Sequence, residues 1–506
     1  MNPLLHAETL SFLGTILLAL LGGTILQASC RRGRDQQGTR EGFAIVALGW
    51  ALLALLGSIP LTVHFLAARA GGGGPHLLAA FTDAYFEIMS GFTTTGATIL
   101  TDVEALPRGL LFWRSLTHWL GGMGIITLAL AIFPAMGVGG YQMFRGEVPG
   151  PTTDRLRPRL AETAKILWGV YALLSAAQAA LLMLGGMDLF EALCHTFGTM
   201  ATGGFSTRNG SIGDFHSLYI EIVVLVFMFL AGTNFLLHYR VLFKRDWRAV
   251  RDNREFRVYA GTLAVAVVLC TVVLYAGGLP GAAAMPPAPA AEAGAASGPP
   301  ALETPDAELA HRAAERAKVS TLGGALRQAA FQVVSITTTT GYCTADFDLW
   351  PRAVGLTLVL LMFWGGCAGS TGGGMKMIRV LVAAKASWRE LRRIVRPRLV
   401  APVKVGEEAL PERMVASVVG FVLLFAGLFA LASIVMTLFI PDLVTAVSAV
   451  AATIGNVGPG LGGVGATGNY AWVPIPGKWV LILCMLLGRL EIFTVLVLFR
   501  PSFWRR

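Results

Sequence analysis

Four short triplets stand out for the chemistry they can do: Thr94, Thr95 and Gly96; Ala201, Thr202 and Gly203; Thr339, Thr340 and Gly341; and Asn456, Val457 and Gly458. None of these residues is ionisable. What such triplets offer is backbone oxygen: glycine has no Cβ and tolerates positive φ, so an extended segment ending in glycine can turn its carbonyls inward. A ring of neutral carbonyls replaces the hydration shell of a monovalent cation, whereas a divalent-ion filter is expected to carry carboxylates. One Gly/Thr triplet alone is an ordinary turn; four in register carry the reading.

Two further features belong to the interior of apolar runs. Gly365, Gly366, Cys367, Ala368, Gly369, Ser370, Thr371, Gly372, Gly373 and Gly374, followed by Lys376, would break a helix at mid-membrane depth. Irregular backbone there is tolerated only where it faces protein or water; the competing reading is a close glycine contact between helices. Arg489 lies midway between Lys478 and Arg500 in the last apolar run. A charge at that depth costs several kcal/mol unless it is paired or wetted, which marks it as functional by default. Glu491, two residues on, does not share its helix face.

The elements that must position these residues are transmembrane helices. The chain has 506 residues, is 55% hydrophobic and only 14% charged, with mean hydropathy +0.64, too little charge to cover a soluble protein of this size. Apolar runs at residues 10–28, 43–66, 110–133, 162–184, 217–238, 258–279, 353–378, 414–440 and 476–499 give about nine crossings at ~20 residues each. Lipid cannot satisfy free backbone groups, so the spans are helical.

The net charge of +10 does not make a nucleic-acid surface, because the basic residues cluster at the ends of apolar runs. Arg31, Arg32, Arg34 and Arg40; Arg145, Arg155, Arg157 and Arg159; Lys244 to Arg257; Lys385 to Arg398; and Arg500, Arg505 and Arg506 alternate with loops holding few basic residues, such as Arg69, Arg108, Arg208 and Lys478. The positive-inside rule puts the first set in the cytoplasm, with the N-terminus outside and the C-terminus inside. The first run has no basic n-region and is followed at once by Arg31 and Arg32, the pattern of a retained anchor rather than a cleaved signal.

The triplets close four related external segments: residues 81–96 (FTDAYFEIMSGFTTTG), 188–203 (DLFEALCHTFGTMATG), 326–341 (LRQAAFQVVSITTTTG) and 443–458 (LVTAVSAVAATIGNVG). Each helical part is too short to cross and suits a re-entrant half-helix. The fold class expected is therefore an all-α integral membrane protein, with four helix/pore-loop/helix repeats around one axis and one extra N-terminal helix. The boundaries are 1–42 for that helix and its basic loop, then 43–133, 134–238, 239–378 and 379–506 for the repeats. The third repeat carries an Ala/Pro-rich insert, residues 280–318, read as external and disordered.

Other chemistries fit less well. Cys30, Cys194, Cys270, Cys343, Cys367 and Cys484 are scattered without a CxxC and read as inert core thiols. Gly463, Gly465 and Gly468 match GxGxxG but have no expected βαβ setting. An intramembrane serine protease with Ser370 as nucleophile and His118 or His195 as base leaves the four repeats unexplained; His118 reads as a packing residue. No organic cofactor is implied, and the cytoplasmic segments 239–257 and 379–413 are too short to fold a soluble domain.

The repeats, together with GCAGSTGGGMK at 366–376 and GRLEIFTVLVLF at 488–499, resemble the TrkH/KtrB/HKT superfamily of potassium transporters, the TrkH branch most closely, over about residues 43–500. The resemblance implies potassium uptake, with the potassium ion as transported substrate, across the bacterial inner membrane. It assigns one filter glycine per repeat, here Gly96, Gly203, Gly341 and Gly458, with glycine rather than serine in the first repeat associated with potassium over sodium. Sodium or ammonium through the same architecture remains the alternative. The resemblance further implies that the glycine-rich string is a gating loop ending at Lys376, and that Arg489 is an electrostatic barrier below the filter. It implies a homodimer bound to a cytosolic nucleotide-binding regulatory subunit, for which the basic stretch from Lys385 to Arg398 offers a docking face or, equally, a contact with anionic lipid. The family usually has two helices ahead of the first repeat, and one is visible here.

Overall fold

The structure is a computed structural model that describes residues 3–29, 39–67, 76–131, 156–277, 305–399, 401–406 and 408–504. Cys30, Arg31, Arg32, Arg34, Arg69, Arg145, Arg155, Arg505 and Arg506 lie outside the described residues, as do the side chains of Arg157 and Arg159.

Each of the four segments folds as a long helix, a short half-helix and a further helix, which is long and unbroken only in the first, Arg108–Ala131. The leading helices are Arg40–Ala67, Leu156–Leu184, Arg254–Gly277 and Glu412–Met436. The half-helices are Leu77–Phe92, Leu189–Met200, Leu322–Thr337 and Leu443–Ile454. Three half-helices start on a side-chain cap: Asp188 accepts from Glu191 N, Thr321 from Gly324 N and Asp442 from Thr445 N. Such a cap satisfies one of the four amides that a helix start leaves unpaired.

Five helices are long and apolar enough to cross a membrane, and two bent helix pairs bring the number to seven among the described residues. The bends correct the expected crossings at 217–238 and 476–499. Leu218–Ala231 turns by 103° into Phe235–Lys244, and Ile475–Arg489 turns by 113° into Phe493–Phe499. The third-repeat helix also stops early, at Met362. Asn234 drives the first bend, its side chain capping the new helix by accepting from Leu236 N at 2.8 Å. The second bend has no glycine or proline; Glu491 and Ile492 take φ values of +59° and +49°, a costly conformation for a β-branched residue.

The insert read as disordered through residue 318 is a helix in its last part, Pro305–Val319. Asp306 and Glu308 sit in its first turn and Arg316 and Lys318 in its last, the arrangement that complements a helix dipole. Glu315 ties it down by accepting from Asp346 N at 2.9 Å.

The buried core divides in two. One apolar cluster draws mainly on the second and third repeats (Tyr171, Phe235, Tyr259, Phe331), the other on the first and fourth (Phe86, Phe92, Ile454, Leu481). The fourth half-helix contributes to both clusters, Ala451 and Ala452 to the first and Val450 and Ile454 to the second. Beyond the third repeat, the basic helix Met377–Val395 and a two-stranded hairpin pairing Lys404 with Ala409 form a small cluster with the start of Glu412–Met436, through Val382, Ala386, Val403, Leu410, Val415 and Val418.

Candidate ion pathway

The four half-helices end in the same way. Thr94, Thr202, Thr339 and Asn456 all take left-handed φ, between +49° and +61°. The next residue in each repeat donates its N–H back five residues: Thr95 to Ser90 O, Gly203 to Gly198 O, Thr340 to Ser335 O and Val457 to Ala452 O, at 2.7–2.8 Å. A left-handed glycine follows: Gly96, Gly204, Gly341 and Gly458, with φ of +79°, +81°, +80° and +100°.

This register differs from the expected one in the second repeat. The left-handed glycine there is Gly204, not Gly203, and Ala201 is a helix cap equivalent to Thr93. The TGGFS string offers two glycines. Counting two residues on from the left-handed Thr or Asn of each repeat, rather than stopping at the first glycine, selects Gly204.

Contacts between repeats close into a circle. A Cβ on Gly96 would lie 2.0 Å from Gly203 O, one on Gly204 2.0 Å from Thr340 O, one on Gly341 2.0 Å from Val457 O, and one on Gly458 2.6 Å from Thr95 O. Each glycine thus lets the carbonyl of the next repeat approach it, and all four line one cavity of about 90 Å³ with Arg114 and Tyr470 on its wall. Four helix C-termini also converge here, each carrying about half a negative charge.

The ring is braced from behind. Asn456 Nδ2 donates to Thr95 Oγ1 at 3.0 Å across the fourth and first repeats, and Tyr470 OH donates to Gly458 O at 2.8 Å. Glu87, fully buried, accepts from Arg114 Nε at 2.8 Å and from Ile99 N at 2.9 Å. The guanidinium stacks on Phe205, 4.0 Å from its ring centre. Neither Glu87 nor Arg114 was among the expected site residues, although an ionisable residue inside an apolar segment is itself a signal.

The glycine-rich string leaves the helix after Met362 and returns at Met377. Gly365 N donates to Met375 O at 2.8 Å and Met375 N to Phe363 O at 3.1 Å, closing the neck of a loop. The loop lies against the inner ends of the half-helices. Thr371 Oγ1 donates to Met200 O at 2.9 Å, Gly373 N to Thr339 Oγ1 at 2.6 Å, and a Cβ on Gly373 would lie 2.7 Å from Gly455 O. Gly366 and Gly369 pack on the bend of the second repeat, against Gly232 and Asn234. Gly372 accepts from Lys376 Nζ, and Gly374 takes φ +59°.

Arg489 is 2% exposed and ends its helix at this depth. It donates to Thr371 O at 2.8 Å and to Gly121 O of the first repeat at 3.4 Å. Glu491 pairs not with Arg489 but with Arg379, just beyond the loop.

A family model described as TrkH, cation transport protein, matches residues 9–506. The chain belongs to the TrkH family. It is 41% identical over 496 residues to the Trk system potassium uptake protein TrkH of Salmonella typhimurium, covering 98% of this chain and 92% of that protein. It is 32% identical over 495 residues to the Trk system potassium uptake protein TrkG of Escherichia coli, at 98% and 91%. The crystal structure of the potassium transporter TrkH from Vibrio parahaemolyticus matches with a TM-score of 0.80 at 36% identity, covering 98% of this chain and 93% of that one. As a TrkH-family chain it is a multi-pass membrane transporter.

That membership leaves the other motifs without their chemistry. Ser370 Oγ donates to Cys367 O at 2.6 Å, while His195 bonds Glu191 O and Ser206 Oγ. His118 stacks on Phe205 with ring centres 4.1 Å apart, so neither imidazole is bonded to the serine. Gly463 and Gly465 sit in a short 3₁₀ turn and its cap, and the element directly ahead of them is the half-helix Leu443–Ile454 rather than a strand. Outside the spans, burial pushes the Asp348 carboxyl up to about 7 against the hydrogen bond from Gly462 N, which pulls it down. That bond, 2.8 Å long, ties the external loop of the third repeat to that of the fourth.

Proposed function

We propose that this TrkH-family chain takes up potassium across the bacterial cytoplasmic membrane through the ring of backbone carbonyls at Thr95, Gly203, Thr340 and Val457. The observation that carries the reading is the closed circle of glycine-to-carbonyl approaches, in which each of four repeats sets a neutral carbonyl against the left-handed glycine of its neighbour, and those four glycines line one cavity. A monovalent ion that sheds its water there exchanges hydration oxygens for carbonyls, and the converging helix ends favour its charge. None of the ring residues is a carboxylate, which disfavours divalent ions. Glycine at position 96 supports potassium over the sodium and ammonium alternatives, because a side chain there would displace the Gly203 carbonyl.

The loop at 363–376 acts as the gate and Arg489 as the barrier beneath the filter. Support comes from their contacts: the loop bears on the half-helix ends of the second, third and fourth repeats, and Arg489 bridges it to the first. A guanidinium at that depth repels a passing cation until the loop and the arginine move together. The chain works as a homodimer with a cytosolic nucleotide-binding subunit, and the basic helix Met377–Val395, which starts where the loop ends, is the connection through which that subunit acts.

Anomalous diffraction from crystals soaked in thallium or rubidium tests the assignment. Density on the axis at the level of the Thr95, Gly203, Thr340 and Val457 carbonyls is the expected result; density confined to other sites would remove the filter assignment.

A further inference from the structure

We propose that Glu255 is the clip that holds the intramembrane loop closed, a positioning residue that touches no permeating ion. It is the second residue of the helix Arg254–Gly277 and is 6% exposed. One atom, Oε1, accepts from Ala368 N at 2.7 Å and from Ile378 N at 3.0 Å. Ala368 lies on the outgoing limb of the loop and Ile378 in the first turn of the helix that receives the returning limb. A single carboxylate oxygen therefore pins both limbs.

The two amides are suited to this role. Ile378 N belongs to a helix start, where N–H groups have no intrahelical acceptor, and a carboxylate there also meets the positive end of the helix dipole. Ala368 follows Cys367, whose own N–H is held by Gly232 O at 2.8 Å. Bonds from N–H to a carboxylate are the stronger kind in a buried setting. With Oε1 withdrawn, two amides lose their acceptor at once and the limbs are free to separate.

Glu255 also stands at the cytosolic entrance of its helix. Asn253, two residues earlier, caps that helix by accepting from Phe256 N at 2.8 Å, and the short basic helix Arg248–Asp252 precedes it. A push on this cytosolic segment would reach both limbs of the loop through Glu255.

This inference rests on the reading of the loop as a gate, and the test separates the two. Cys367, 1% exposed and on the loop, serves as a native reporter in the full chain with the other five cysteines replaced by alanine. Maleimide labelling of Cys367 and rubidium uptake are measured in proteoliposomes for Glu255, Glu255→Gln, Glu255→Asp and Glu255→Ala. Glutamine keeps an acceptor oxygen at the same reach, whereas aspartate keeps the charge but falls short. Labelling in the aspartate and alanine chains is expected to rise about tenfold or more, and to stay within about threefold of the parent in the glutamine chain. Should the alanine chain fail to assemble, the aspartate and glutamine chains carry the comparison. Parent-like labelling in the aspartate chain, or labelling of the glutamine chain as fast as that of the aspartate chain, overturns the clip. Faster labelling without faster rubidium uptake leaves the clip standing and removes the loop as gate.

Discussion

The outer and inner halves of the pathway are built on opposite plans. At the proposed filter, four repeats share one backbone course, down to the same left-handed residue position, the same five-residue back-bond and the same glycine. Immediately beneath, the symmetry ends: the second repeat bends by 103° at Asn234, the fourth bends by 113° after Arg489, and the third opens into a loop. Ion selection needs equivalent oxygens on all sides, so each repeat must contribute alike. Closing a path needs only one object on the axis, and four copies of the loop could not occupy that space. The bends of the second and fourth repeats make room for the single loop and supply its docking groups, Gly232 and Arg489.

The largest effect expected on this comparison comes from the symmetric half. Gly204→Ala puts a Cβ 2.0 Å from the backbone carbonyl of Thr340 at φ +81°, with no side chain to move aside, and rubidium uptake should fall about a hundredfold or more. Gly203→Ala meets instead the ring of His118, at 2.3 Å. Adding His118→Ala should bring it back to within about tenfold of the parent chain, since a truncated side chain opens the space. Uptake measured on the three variants side by side decides the register: parent-like uptake by Gly204→Ala, or a loss in Gly203→Ala that His118→Ala does not restore, would return the filter glycine to position 203.

In the asymmetric half the expected change has the opposite sign. Arg489→Ala removes the charge and the bond to Thr371 O, and uptake by the chain without its cytosolic partner should rise about three- to tenfold. A fall with normal assembly would mean that the arginine organises the path rather than obstructing it.

The smallest effect concerns the external tie between the third and fourth repeats. The Asp348 carboxyl is raised to about 7 from an ordinary value of 3.8, so the folded state prefers it neutral. The stability this gives is fully present below about pH 4 and is lost as pH rises through about 7, at no more than roughly 1.4 kcal/mol per unit and less with partial solvent access. Thermal unfolding midpoints at pH 5 and pH 8 should therefore differ less in Asp348→Asn than in the parent; an unchanged difference would assign the pH dependence elsewhere.

Much of the outer half was legible in the sequence because its cause is local. A half-helix, a hydroxyl or amide residue and a glycine leave a repeated string, and only the doubled glycine of the second repeat shifted the register. The inner half depends on contacts between distant segments. The bend after Arg489 has no helix breaker and follows from Glu491 reaching Arg379 and Arg489 reaching Thr371, partners that hydropathy does not reveal. Likewise the helix Pro305–Val319 was hidden inside an Ala/Pro-rich stretch, and its ion pairs, such as Arg312 with Glu308 at 2.5 Å, show only once the helical spacing is assumed.

The most direct test of the central claim is rubidium uptake into proteoliposomes under increasing sodium, compared between the parent chain and Gly96→Ser. A Cβ at position 96 would press on Gly203 O, so the account predicts that the parent resists sodium competition and that the serine chain loses that preference by about tenfold or more. Equal sodium competition in both chains, or a parent that moves no monovalent cation with its cytosolic partner present, would contradict it.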